Sequence, residues 1–344
     1  MKHRNQTADL LKGIAVLLMI QVHIIELFAT QGISSGEIGK ILLFLGGPPV
    51  APLFMVLFGY FIASSKKTSQ QLIARGAKII LLGMLLNLAL NLNLIISVNK
   101  GILQVDLFPY IFGVDILQFA GLSIIFIAII KKAIDKSLIF VIGSIILSAF
   151  LGHFLIKYIP SDLFLKYISA FFYGSCWWSY FPLFPWLAYP LAGIAFYQLK
   201  QQINLTFLFE KKIKLLIGIL FIVFLAFTIK YAVHHSAELQ LYYHHGLIFV
   251  LWVILFLSFY SYFINEINRK TGKFILIKYV KWLGKNVTII YILQWILIGN
   301  TATEIYKTVS SPYQLLLYFL GVILIASVVC YLALFVKERF VKKF

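Results

Sequence analysis

The chain has 344 residues, of which 61% are hydrophobic and only 12% charged, with a mean hydropathy of +0.94. A water-soluble domain needs more charge to cover its surface. The apolar residues also come in blocks of about twenty, so composition points to a polytopic membrane protein. The formal net charge of +18 would suit a nucleic-acid partner, but no separate basic domain exists to bind one, and the lysines follow membrane topology instead.

Ten main apolar spans are predicted, at about 8–29, 48–64, 77–97, 109–130, 137–157, 179–199, 213–232, 244–265, 283–300 and 313–336. The expected fold is an all-α polytopic membrane protein of about ten transmembrane helices with interfacial helical segments, one domain over 1–344. With the N-terminus placed in the cytoplasm, Lys and Arg concentrate in every second loop. Only Lys40, Lys100, Lys157, Lys166 and Lys307 fall outside, and Lys12 and Lys230 lie within spans. Both termini are therefore expected to be cytoplasmic, in a bacterial inner (plasma) membrane. The two cysteines, Cys176 and Cys330, fall on opposite sides in this topology, and no bridge is expected.

The first span is the most informative. It begins Arg4-Asn-Gln-Thr-Ala-Asp9-Leu-Leu-Lys12-Gly13 and ends with His23 and Glu26. These polar residues interrupt the apolar region and no small-residue cleavage pattern precedes a soluble domain, so the span is expected to stay rather than be removed as a signal peptide. At 1.5 Å per residue Asp9 and His23 lie roughly 21 Å apart, most of the way across a hydrocarbon core of about 30 Å. One helix thus addresses both faces of a bilayer.

Further along, Gly46-Gly47-Pro48-Pro49 breaks any helix before the second span, and Pro182, Pro185 and Pro190 restrict the start of the sixth. Such breaks persist at membrane depth where protein or a wet cavity satisfies the freed backbone groups. The aromatic-rich run 164–182 reads as an interfacial segment on the outer face. Phe274 to Trp282, with Lys278 and Lys281, reads as one on the inner face. The spans contain no convincing repeat, which weakens an inverted-repeat transporter reading.

Several ionisable residues fall in the outer half, including His23, Glu26, Asp115, His153, His244 and His245. Such an asymmetric collection fits an outward-facing polar cavity, although solvated loops account for many of its members. His23 can accept and return a proton near neutral pH, as a general base acting on a hydroxyl or amine requires. Glu26, one turn along the same face, could orient the ring and stabilise imidazolium; a lone histidine near a helix end is more often a packed or interfacial residue. Asp115, in Asp115-Ile-Leu-Gln118, is a carboxylate that must be protonated, paired or wet.

On the inner side Arg4, Asp9, Lys12, Arg75 and Lys78 are mostly explained by positive-inside anchoring, yet they also offer donors to a phosphate-rich ligand. There is no HExxH, CxxC pair, P-loop or GxSxG elbow. His234-His235 and His244-His245 have no clear carboxylate partner, and no metal is expected.

These motifs resemble the heparan-alpha-glucosaminide N-acetyltransferase-like catalytic domain and the related acyltransferase-3 membrane proteins. The resemblance rests on Arg4-x4-Asp9-x2-Lys12-Gly13-Ile14-Ala15 with Met19 and His23, and on Pro52-Leu-Phe-Met-Val-Leu-Phe-Gly59-Tyr60. It continues through Arg75, Asp115-Ile-Leu-Gln118, Pro182-Leu-Phe-Pro185-Trp186-Leu and Leu283-Gly284-Lys-Asn286-Val-Thr-Ile-Ile-Tyr291. It implies a membrane enzyme moving an acyl group, commonly acetyl from cytoplasmic acetyl-CoA, to a sugar on the far side. On that reading His23, Asp115 and Glu26 serve the chemistry, and Arg4, Asp9, Lys12 and Arg75 serve the CoA moiety.

The chain departs from the family pattern in three places. Lys12 stands where Arg is usual, which loses the bidentate fork. Residues 30–47 contain no His, and Gln294 stands where the ninth-span pattern often ends in His. The expected partners are acetyl-CoA, a glycan or amino-sugar acceptor and membrane lipid, without nucleic acid; a homodimer is compatible. A transporter or flippase of a polar envelope precursor is the alternative, and a non-enzymatic sensor or assembly partner a third reading.

Overall fold

The computed structural model describes residues 5–174 and 176–341, without the side chains of 340 and 341. In chain order the helices are α1 (Gln6–Phe28), α2 (Gln31–Ser34), α3 (Glu37–Gly46), α4 (Ala51–Ala63), α5 (Ser69–Leu90), α6 (Leu92–Asn99) and α7 (Phe108–Ile111). Then come α8 (Ile116–Ile129), α9 (Lys131–Lys136), α10 (Leu138–Leu155), α11 (Leu163–Phe172), α12 (Leu183–Trp186) and α13 (Ala188–Gln202). The last are α14 (Lys211–Ala237), α15 (Leu239–Tyr243), α16 (Leu247–Thr271), α17 (Ile275–Lys285), α18 (Val287–Ile305) and α19 (Pro312–Val341). The only extended pairings among the described residues are two isolated bridges, Ala29 with Val309 and Val114 with Ser179.

All ten predicted apolar segments contain helix, but the count of ten spans is not reproduced. Seven helical runs among the described residues are long and apolar enough to cross a bilayer, or eight if α17 and α18, bent by 82°, make one span. Two segments fall short for a local reason. The stretch 109–130 is divided between α7 and the 14-residue α8, and 179–199 ends in the 15-residue α13. The sequence reading also missed α3, which joins α4 to make a 27-residue candidate span, Glu37–Ala63.

The chain divides into two compact units, residues 1–50, 88–107 and 261–344 in the first, and Ala51–Asn87 with Phe108–Tyr260 in the second. In the first, α1 lies directly against α17, because each helix presents a glycine to the other's backbone. A Cβ on Gly13 would collide with the Val280 carbonyl, and one on Gly284 with the Asp9 carbonyl. The break between α5 and α6 is tied to α18: Asn300 Oδ1 accepts from the Asn93 amide at 2.7 Å, and its Nδ2 donates to the Ala89 carbonyl at 2.9 Å. These bonds satisfy backbone groups that the break would otherwise leave bare.

In the second unit α4 and α13 approach in the same way, with Gly59 on Pro190 and Gly193 on Val56. The α7–α8 break is closed by backbone bonds from Val114 to Trp178 (2.8 Å) and from Tyr180 to Val114 (3.0 Å). Asn87 Nδ2 donates to the Ile111 and Gly113 carbonyls at 3.0 and 2.9 Å. In the connection between α15 and α16 the buried His245 donates from Nδ1 to the Tyr242 carbonyl (2.6 Å), which leaves Nε2 to accept from the Tyr189 hydroxyl (2.8 Å).

Candidate functional site

The two ends of α1 carry separate polar clusters, both within the first unit. At its start, Asn5 caps the helix by accepting from the Ala8 amide at 3.0 Å, which supplies one of the partners that a helix N-terminus lacks. Asp9 is buried and pairs with Lys12 at 3.1 Å. Lys281 of α17 is only 8% exposed; it donates to Gln6 Oε1 at 3.1 Å and to the Gly272 carbonyl at 3.4 Å, and the charge of Asp9 acts on it. A buried ammonium needs such partners, since desolvation costs several kcal/mol per ion. Thr7 Oγ1 donates to Asn265 Oδ1 (2.8 Å) and accepts from Asn268 Nδ2 (3.1 Å). Asp9 at the start of an apolar span therefore belongs to a polar layer shared by α1, α16 and α17.

At the other end, His23 Nδ1 lies 3.0 Å from Gln294 Oε1 of α18. An amide oxygen only accepts, so Nδ1 carries the proton and the Nε2 lone pair is the basic position. Trp295 stacks on the same imidazole, with ring centroids 4.0 Å apart and planes inclined by 30°. One residue of α18 holds the ring's edge and the next covers its face. Glu26 lies one turn further along α1, half-buried. Beyond it a groove of about 480 Å³ is lined by Phe28, Leu297, Thr301, Gln314 and Tyr318; Leu297 and Thr301 follow Gln294 by one and two turns of α18.

Arg4 lies outside the described residues. Asp115 and Arg75 belong to the second unit, not to the unit that holds His23 and Lys12. Asp115 is the N-cap of α8: its carboxylate accepts from the Ile116 amide at 2.6 Å, while Gln118 Oε1 accepts from the Asp115 amide at 3.3 Å. This is a capping box, and the Asp-x-x-Gln spacing alone could have identified it. Arg75 is exposed on α5, as is Lys78.

Gln294, Trp295 and Lys281 were not singled out as site residues. Lys281 read as an interfacial charge, and nothing local marks Gln294 as the partner of a histidine 271 residues away.

The family model for heparan-alpha-glucosaminide N-acetyltransferase, catalytic, matches residues 4–235. No curated protein and no solved structure matches the chain. The matched stretch includes Asp9, Lys12, His23, Glu26, Arg75 and Asp115, whereas Lys281, Gln294 and Trp295 lie beyond it. With well over half of its residues inside that match, this multi-pass helical chain belongs to the heparan-alpha-glucosaminide N-acetyltransferase catalytic family of membrane acetyltransferases.

Proposed function

We propose that the protein is an acetyltransferase of a bacterial inner membrane that takes acetyl from cytoplasmic acetyl-CoA and delivers it to an amino sugar or other cell-envelope glycan on the outer side. The observation that carries this reading is the state of His23: its Nδ1–H is bound to Gln294, so Nε2 is available to take a proton from the acceptor. Glu26, one turn along, stabilises the imidazolium that results. Asp115 acts at one remove, by holding the start of α8. The hydroxyls and amide of Thr301, Tyr318 and Gln314 in the adjacent groove offer a sugar the hydrogen bonds it requires.

The basic residues suit the donor's phosphates. Lys12 retains 18% side-chain exposure beside Asp9, and Arg75 is exposed on α5, so Lys12, Arg75 and Arg4 can attract an anionic ligand at the cytoplasmic face. The excess of Lys and Arg in alternate loops supports cytoplasmic termini, and residues 1–344 are read as one acetyltransferase domain.

Reconstituted vesicles given labelled acetyl-CoA and a glucosamine-terminated glycan test the reading. Label should pass from CoA to the glycan. A transporter would leave the label on CoA and move the glycan instead, and a sensor would do neither.

A further inference from the structure

Gln294 is 0% exposed, yet only its oxygen is used: Oε1 accepts from His23, while Nε2 has no acceptor among the described residues. The indole Nε1–H of Trp295 is likewise buried without an acceptor among them. A buried donor left unsatisfied costs about 1–3 kcal/mol, and more in a bilayer, where water does not compensate. The bond to His23 uses the oxygen of Gln294 and not its amide N–H, and a phenylalanine would fill similar space to Trp295 without a buried indole N–H, so neither that bond nor packing calls for these two donors. Two adjacent residues both carry an unspent N–H, and both touch the imidazole of His23.

We infer that Gln294 and Trp295 supply the electrophilic side of the reaction centre, with the Nε2–H of Gln294 and the Nε1–H of Trp295 donating to the carbonyl oxygen of the acyl thioester. The inference rests on the reading of His23 as the base. As the acceptor's lone pair forms the new bond to the carbonyl carbon, its proton passes to His23 Nε2 and the carbonyl π pair moves onto oxygen. The two N–H donors stabilise that oxyanion in a site of low dielectric. When the carbonyl re-forms, the C–S bond breaks, and the CoA sulfur leaves with the electron pair and takes the proton from His23. Gln294 has a second task as a positioning residue, since its oxygen fixes the tautomer that makes Nε2 the base.

Two conservative variants separate these roles from packing. Trp295→Phe keeps an aromatic ring on His23 and removes the N–H. Gln294→Glu keeps an oxygen for Nδ1–H and removes the amide donors. In the vesicle assay each should lower kcat by about 100-fold while KM for acetyl-CoA changes by less than about threefold and the thermal midpoint of the purified protein stays within a few degrees. Wild-type kcat in both variants, alongside an inactive His23→Ala, would overturn the donor assignment and leave the base in place. Full activity in His23→Ala would overturn both.

Discussion

His23 and Gln294 are joined by a 3.0 Å hydrogen bond between the first and eighteenth helices, across 271 residues of sequence. The bond gives one imidazole nitrogen a fixed duty and leaves the other for proton transfer. The amide of Gln294 cannot itself act as a base, but it can hold a neighbouring histidine in one tautomer.

The close contact of α1 with α17 makes the Lys12-Gly13 motif structural as well as electrostatic. Gly13→Val should destabilise the protein by about 1–3 kcal/mol or more, because the new Cβ meets the Val280 backbone rather than a movable side chain. Gly218→Ala, in α14 where a Cβ meets nothing within 4 Å, should instead stabilise by roughly 0.4–1 kcal/mol. Thermal midpoints in detergent read both.

Asp115 is predicted to act through its cap. Asp115→Asn retains an N-cap acceptor and should keep stability and acetyl transfer close to wild type. Asp115→Ala should cost about 0.5–2 kcal/mol. A large fall in kcat in the Asn variant at unchanged stability would instead show that the negative charge itself is used.

Much of the architecture was legible in the sequence, for reasons the structure makes clear. Blocks of apolar residues about twenty long cannot be satisfied in water, and each of the ten predicted segments contains helix. Length was harder to read, since α8 starts only where Asp115 caps it, and that cap shortens an apolar run that looked continuous. Of the site, His23 was legible because an imidazole in a membrane span is costly, and Asp9 and Lys12 because they start such a span. Gln294 and Lys281 were not, because their roles depend on which helices α17 and α18 face, a property of packing that no local pattern records.

The basic residues proposed for the donor predict a binding phenotype rather than a chemical one. Lys12→Gln and Arg75→Gln should each raise KM for acetyl-CoA on the order of tenfold, the value of one lost charge-assisted hydrogen bond, with kcat retained. Unchanged KM in both would assign them to membrane topology alone.

Stability should also depend on pH through His245, which lies in the connection between the α14 and α16 spans. Burial pushes its imidazole down to about 3, whereas the unfolded chain titrates near 6.5. Below pH 6.5 the unfolded state therefore binds a proton that the native state does not. The contribution is fully present above pH 6.5 and is lost progressively as pH falls toward 3. The thermal midpoint should drop across that window, less steeply in His245→Gln; identical slopes would remove His245 as the cause.

The most direct test of the account is acetyl transfer by His23→Ala in reconstituted vesicles supplied with labelled acetyl-CoA and a glucosamine-terminated glycan. Loss of transfer by at least about 100-fold, within the usual range for removal of a general base, is predicted in a protein that still folds and binds acetyl-CoA. Transfer at the wild-type rate would contradict the assignment of His23 as the base and, with it, the reaction centre built around the His23–Gln294 bond.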